Sequence, residues 1–144
     1  MLIAQERGAS VRVDQQGSLA IRLQAHEDGP SRGGFNGLPC IIQEAVQQRI
    51  ATALGFAASQ LELIDRTERI THVAIAVRIS GSEYLGWRTR AEHAASPNSM
   101  TMGMGTGRLR GAVTAFRRRA ALRLDRTALV EDLVIPLRRQ WLTR

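Results

Sequence analysis

Side-chain alternation constrains the fold most strongly in residues 71–90. Every second residue from Val73 to Ile79 is β-branched, and the residues between them are small or polar. A period of two is typical of a strand that buries one face. A Ser-Gly-Ser turn follows at 80–82, and the alternation resumes at 83–90 with the bulky strand formers Tyr84 and Trp87. Residues 71–90 therefore predict a β-hairpin.

The residues before this stretch predict another hairpin and a helix. Residues 2–6 form a short apolar run typical of an edge strand, and residues 10–14 and 18–25 alternate on either side of a Gln-Gln-Gly turn. Apolar residues then recur every three or four positions after Pro39, a favoured first helical residue, and Gly55 supplies a left-handed stop. We expect a helix over 39–54.

The second half repeats this order. Residues 60–65 predict a strand, the hairpin follows it, and an apolar stripe at helical spacing predicts an arginine-rich helix over 108–126. The stripe consists of Leu109, Val113, Phe116, Ala120 and Leu124. We therefore expect an α+β sandwich of two tandem strand-strand-strand-helix units, 1–56 and 60–126, which form one domain over 1–126. An amphipathic helical extension over 127–144, kinked or ended by Pro136, is expected either to pack on this domain or to dock on a partner.

Composition favours one globular, cytoplasmic protein. The chain has 144 residues, of which 44% are hydrophobic, and this is enough to build the core of a single domain. No apolar stretch reaches the roughly 18 residues of a membrane span, and the N-terminus lacks the basic and apolar regions of a leader. We expect no association with a membrane.

No pattern of residues predicts catalysis. Cys40 is the only cysteine, which excludes an internal disulfide and a thiolate metal cage. We expect a buried structural thiol there, with a reactive role as the alternative. His26, His72 and His93 are scattered without the spacing of a metal motif, and no acidic pair or nucleophile motif accompanies them. We predict no catalytic residues, no metal site and no cofactor.

Two glycine-rich segments are the candidate ligand sites. The first lies directly before the helix predicted over 39–54, where backbone N–H groups can approach a ligand and the helix dipole suits a carboxylate or phosphate. The second takes the equivalent place before the arginine-rich helix. The predicted ligand-binding residues are Gly34, Asn36, Gly37, Leu38, Gly103, Gly105 and Gly107. The alternative is a flexible connector in each place, which the composition of the second segment favours.

The distribution of charge supplies a second hypothesis. The chain carries a net +7 without any lysine; residues 1–107 hold ten arginines and ten acids, whereas residues 108–144 hold ten arginines and three acids. A cationic helix over 108–126 would bind RNA or DNA phosphates in a salt-dependent way. The candidate contacts are Arg108, Arg110, Arg117, Arg118, Arg119 and Arg123. A biased genome composition would also explain arginine without lysine. The order of helix, three strands and helix over 39–124 is also that of a double-stranded-RNA-binding domain, whose lysine pair has no counterpart here.

The repeated units resemble a known regulatory domain. The segments 34–39 (GFNGLP), 61–65 (LELID), 73–77 (VAIAV) and 84–87 (YLGW) are similar to parts of the C-terminal allosteric, or dimerisation, domain of alpha-isopropylmalate, homocitrate and citramalate synthases. The resemblance covers about residues 1–124. It departs from the family at 40–42, where Cys-Ile-Ile replaces a common acidic residue, and no catalytic barrel accompanies the domain.

This resemblance implies a function. It implies a non-catalytic regulatory module of leucine biosynthesis that binds a small amino acid with its glycine-rich loops. It also implies a homodimer, and a separate catalytic synthase subunit as a possible partner.

Overall fold

The mixed class of the fold is as expected, α+β with a C-terminal helix. The computed structural model describes residues 2–6, 9–25, 40–80, 85–96 and 111–143. In chain order the elements are β1 (Leu2–Glu6), β2 (Ala9–Val13), β3 (Leu19–Arg22), β4 (Ile41–Ile42), α1 (Gln43–Ile64), β5 (His72–Val77), β6 (Trp87–Arg88), α2 (Arg90–Ala95), β7 (Val113–Arg118), α3 (Ala121–Leu124) and α4 (Arg126–Leu142). Within the described ranges, no helix combines the length and the apolar character needed to cross a bilayer.

The N-terminal hairpin is confirmed. β1, β2 and β3 form an antiparallel sheet in that order, with β1 at one edge. The turn between β2 and β3 is closed by Asp14, whose Oδ1 accepts hydrogen bonds from the backbone N–H groups of Gln16 (2.9 Å) and Ser18 (2.8 Å). Gly17 takes a positive φ of 84° in this turn, which favours glycine. The hydrogen bond from Ser18 holds the pKa of Asp14 below its ordinary value of 3.8.

The first helix begins later and ends later than predicted. It spans Gln43–Ile64 and passes through Gly55 without interruption. A Cβ at Gly55 would lie 2.9 Å from Nη1 of Arg126, so this glycine allows a close approach of α4 and does not end the helix. The strand predicted over 60–65 is wrong. Its apolar residue Leu61 packs against the main core, because it extends the helical stripe that buries Leu54.

The hairpin predicted over 71–90 is also wrong, although its first strand exists. β5 pairs with β7 in antiparallel register, with Val77 opposite Val113 and His72 opposite Arg118. β6 does not extend that sheet, since it pairs in parallel with β4, where Ile41 lies opposite Trp87. Alternation identified β5 as a strand but carried no information about its partner, which lies about forty residues further along the chain.

The arginine-rich helix predicted over 108–126 is not present among residues 111–126. Residues Val113–Arg118 form the strand β7, and only Ala121–Leu124 form a short helix. A helical stripe would bury Val113, Phe116 and Leu124 together, but Val113 is buried while Phe116 is 67% exposed and Leu124 is 81% exposed. Burial instead alternates along β7, and this is the period of a strand.

The main core lies between α1, α4 and the β5–β7 sheet. The predicted extension forms α4, which packs against α1 and β7 and continues through Pro136 without ending there. Its buried side chains are Leu129, Val130, Leu133, Val134, Leu137 and Trp141. The helix therefore packs on its own domain, the first of the two expected arrangements.

The tandem repeat of strand-strand-strand-helix units is not what the structure contains. Among the described residues up to 60 lie the β1–β3 sheet, β4 and most of α1. The described part of 60–126 contains the end of α1, the strands β5, β6 and β7 and the short helices α2 and α3, and β6 pairs with β4 of the first half. The similarity between the halves came from alternating hydrophobicity, which does not specify pairing.

Candidate functional site

The predicted ligand-binding residues lie outside the described residues. This holds for Gly34, Asn36, Gly37, Leu38, Gly103, Gly105 and Gly107, and for Arg108 and Arg110 of the nucleic-acid hypothesis. The described residues at the ends of the two glycine-rich segments are Cys40 and Ser96. Cys40 follows the first segment in the chain, and Ser96 precedes the second.

The structure brings these two ends together at a place we call the junction, formed by residues 40–44 and 86–96. The backbone N–H of Ile41 donates to the carbonyl oxygen of Gly86 at 2.8 Å. Sγ of Cys40 lies 3.3 Å from Nδ1 of His93, although 53 residues separate them in the chain. The guanidinium of Arg88 donates to the carbonyl oxygen of Ser96 at 2.8 Å. Cys40, which follows the first glycine-rich segment, and Ser96, which precedes the second, therefore both lie beside one short parallel ladder.

The helix α2 is fixed in the junction by a capping box. The N–H of Glu92 donates to Oγ1 of Thr89 (3.2 Å), and the N–H of Thr89 donates to Oε2 of Glu92 (2.7 Å). The hydrogen bond from Thr89 keeps the pKa of Glu92 below its ordinary value of 4.5, with smaller contributions from Arg138 and Arg88. The Thr-x-x-Glu spacing is a sequence signature of a helix start. This spacing alone would predict the start of α2, which the hairpin predicted over 71–90 overlaps.

The start of α1 is the second structural element of the junction. Its N-cap residue is Ile42, whose side chain makes no capping hydrogen bond. The carboxylate of Glu44 accepts a hydrogen bond from the backbone N–H of Arg90 at 2.8 Å, and Oε1 of Gln43 accepts one from Nε1 of Trp87 at 3.3 Å. The first turn of α1 is therefore joined by hydrogen bonds to β6 and α2. The N-cap residue of α1 contributes no side-chain oxygen to the N–H groups of this turn.

A groove of about 400 Å³ opens between the first turns of α1 and the last turns of α4. We call it the α1–α4 groove. Its polar lining includes Gln43, Gln47, Arg138 and Arg139, and its apolar lining includes Ile135 and Leu142. Ile135 and Leu142 are 56% and 54% exposed, so both have apolar surface that a ligand can cover.

Arg138 is the most unusual residue of this groove. Its Nε is buried and has no hydrogen-bond partner within the described part of the chain. Its Nη2 lies 3.7 Å from Oε1 of Glu92, at the edge of an ion pair. A buried N–H without an acceptor costs free energy, and about 1–3 kcal/mol is typical.

The contact of Cys40 with His93 does not form a catalytic arrangement. A thiol beside an imidazole is the core of cysteine nucleophiles, but the imidazole is normally oriented by a third group. In the described ranges no carboxylate contacts the His93 ring, and no cluster of three or more possible metal ligands occurs. Cys40 is 8% exposed and packs with Ile42 and Ala45, as expected for a structural thiol.

Most of the described arginines in the nucleic-acid hypothesis serve the fold. Arg119 lies 3.0 Å from Oδ2 of Asp65, which is buried. Arg117 lies 2.9 Å from Asp132, and Arg123 pairs with Glu62. Since these three guanidinium groups already have carboxylate partners, they are poor candidates for phosphate contacts. Arg118 differs, because it forms no ion pair with any described residue.

Comparison of the chain with protein-family models, with curated proteins and with solved structures gave no match.

Proposed function

We propose that the protein is a non-catalytic, ligand-sensing module that binds a small amino acid with an apolar side chain in the α1–α4 groove. The observation that carries the proposal is the α1–α4 groove itself, in which Arg138 and Arg139 lie near Gln43 in the first turn of α1 and near the exposed apolar side chains Ile135 and Leu142. The described residues Cys40 and Ser96, which follow the first glycine-rich region and precede the second in the chain, lie in the junction next to this turn, and we propose that segments 34–38 and 103–107 complete the site.

The arginines in the middle of the α4 side of the groove suit a carboxylate. Arg138 and Arg139 supply guanidinium groups, and the first turn of α1 adds N–H groups at the positive end of a 22-residue helix. Hydrogen bonds between charged groups contribute more than neutral ones, about 1.5–3 kcal/mol each. A carboxylate placed there would pair with the exposed parts of these guanidinium groups; the Arg138 side chain is 35% exposed.

The apolar side chains of the groove, which lie one helical turn on either side of its arginines along α4, suit a short branched side chain. Ile135 and Leu142 project partly exposed surface beside Val134. Covering such surface contributes about 25 cal/mol per Å², which favours leucine, isoleucine or valine over polar amino acids. The volume of about 400 Å³ lies at the small end of ligand sites.

The support for this proposal comes from the α1–α4 groove and not from the predicted repeat. The described residues do not form the repeat that motivated the resemblance to synthase regulatory domains, so dimerisation, a catalytic partner subunit and a role in leucine biosynthesis remain predictions of that resemblance alone. The groove does not depend on the repeat, because its lining comes from α1 and α4.

A thermal-shift screen against the twenty amino acids tests the proposal. Ligand at one hundred times its Kd stabilises the folded state by about 2.7 kcal/mol, which corresponds to a shift of about 5–10 °C for a domain of this size. We expect a shift with branched apolar amino acids and with 4-methylpentanoate, which keeps the carboxylate but lacks the amine. No shift with any of these compounds would contradict the proposal.

Matched variants locate the site. Arg138→Gln should weaken binding by about tenfold or more, since it removes a charged donor. Arg12→Gln is the control, because Arg12 is an exposed arginine on β2, away from the groove. Equal weakening by both variants would indicate a general effect of charge and would refute the groove as the site.

A further inference from the structure

The outer face of the β5–β7 sheet is a second surface with a recognisable chemistry. Its exposed side chains, which we call the open face, are His72, Ala74, Ala76, Thr114, Phe116 and Arg118, with Arg78 directly after β5. The inner face of the same sheet packs on the core through Val73, Ile75, Val77 and Val113. The open face therefore lies on a rigid support.

Phe116 is the central feature of the open face. It is 67% exposed, although burying a phenylalanine would stabilise the fold by about 1.5–3 kcal/mol. The His72 ring stacks on it with centroids 5.3 Å apart and an angle of 6° between the ring planes. His72 lies opposite Arg118 in the ladder, so it covers the ring face on that side. On the other side of Phe116 along the ladder, the next outward pair is Ala76 and Thr114, which are both small.

The charges on the open face have one sign. Its strand positions contain no acidic residue, and arginines stand at both ends, Arg78 after β5 and Arg118 at the end of β7. Neither arginine pairs with a carboxylate within the described residues. A six-residue strand spans about 20 Å, so the two guanidinium groups bracket an aromatic ring at a spacing that an extended phosphate backbone can follow.

We propose that the open face binds single-stranded nucleic acid. A base would stack on the free face of Phe116 and extend the existing His72–Phe116 stack, while Arg78 and Arg118 contact phosphates. Exposed aromatic rings flanked by arginines are the common device of proteins that bind single strands without reading sequence. The small residues Ala74, Ala76 and Thr114 leave room for the base above the sheet. This site does not include the lining of the α1–α4 groove, and it does not need the arginine-rich helix predicted over 108–126, since Arg118 lies on β7.

Fluorescence anisotropy with labelled oligonucleotides of about twelve nucleotides tests this proposal. The probes are oligo-dT, oligo-U and a mixed-sequence duplex of the same length. We expect the single strands to bind more tightly than the duplex. Phe116→Ala should weaken single-strand binding by about tenfold or more, and Phe116→Tyr should preserve it, because stacking needs only the ring.

Two neighbouring arginines provide a matched pair of variants. Arg118→Gln should weaken binding and lower the slope of log affinity against log salt by about 0.7, the value for one phosphate contact on a single strand. Arg117→Gln removes an equal charge from the next residue, but Arg117 faces Asp132 and should leave affinity and slope nearly unchanged. Absent binding to both single strands would overturn the proposal. So would duplex binding as tight as single-strand binding without an effect of Phe116→Ala, since that would indicate a nonspecific cationic surface.

Discussion

Removal of α4 is the strongest test of how this fold is held together. A chain truncated after Asp125 loses six buried side chains, Leu129, Val130, Leu133, Val134, Leu137 and Trp141. Burial of one such side chain contributes about 1.5–3 kcal/mol, so the truncation withdraws about 9–18 kcal/mol. Domains of this size have about 5–15 kcal/mol of net stability. We therefore expect the truncated chain to be unfolded.

A pair of leucine substitutions tests the same argument within the full chain. Leu133 has no exposed surface, whereas Leu124 is 81% exposed. Leu133→Ala should lower the free energy of unfolding by about 2–5 kcal/mol, and Leu124→Ala should change it by less than about 0.5 kcal/mol. Urea unfolding followed by circular dichroism measures both, and the same method applied to the truncated chain should show no cooperative transition. If the truncated chain unfolds cooperatively, and its free energy of unfolding falls with urea concentration as steeply as that of the full chain, the central role of α4 is refuted.

Two further predictions concern α1 and the turn that follows it. Asp65→Asn should destabilise the protein at pH 7, because hydrogen bonds from the backbone that follows α1, and the charge of Arg119, hold the pKa of Asp65 below 3.8. The contribution of the Asp65 carboxylate to stability is complete above pH 3.8 and is lost as the pH falls through the lowered folded-state pKa. The difference in urea midpoint between wild type and variant should therefore shrink from pH 7 to pH 3. A constant difference would contradict this. Gly55→Ala should raise the free energy of unfolding by about 0.5–1 kcal/mol, because alanine favours the helix. The three atoms nearest to the added Cβ all belong to the end of the flexible Arg126 side chain. A loss of stability in urea unfolding would show that Arg126 cannot move.

Local patterns predicted the elements whose contacts are local. The β2–β3 hairpin has a turn closed by Asp14 and Gly17, and both its strands alternate, so everything that determines it lies within about fifteen residues. The C-terminal helix was equally clear, because its apolar stripe from Leu129 to Trp141 has one dominant period. These are the cases in which propensity, pattern and turn chemistry agree.

The errors occurred where a short segment fits two periods. Leu61 and Leu63 suit a strand, but Leu61 alone packs on the core while Leu63 is 63% exposed, which is the outcome for the end of a helix. Val113 and Phe116 suit a helix, but they point to opposite faces of a strand. Windows of five or six residues do not distinguish the two periods, and the partner elements that decide the matter lie far away in the chain.

The candidate site depends mostly on contacts that sequence patterns do not reveal. The Cys40–His93 contact and the bond between Arg90 and Glu44 join residues about fifty positions apart. The α1–α4 groove needs both Gln43 and Arg138, which no motif connects. Only the capping box of α2 had a recognisable signature.

The arginines of β7 show how one step in a strand separates structure from surface. Arg117 points to the side of the sheet that faces α4, where it forms an ion pair with Asp132. Arg119 follows two residues later and reaches Asp65. Arg118 lies between them, and the period of two turns it to the opposite side, beside His72 and Phe116. Since a shift of one residue exchanges the two faces, the register of β7 against β5 decides which arginines stabilise the fold and which remain for a ligand. A register with Arg117 on the outer side would leave Asp132 unpaired and would remove the cation next to the aromatic stack, so the nucleic-acid proposal and the ion pairs of the fold depend on the same ladder.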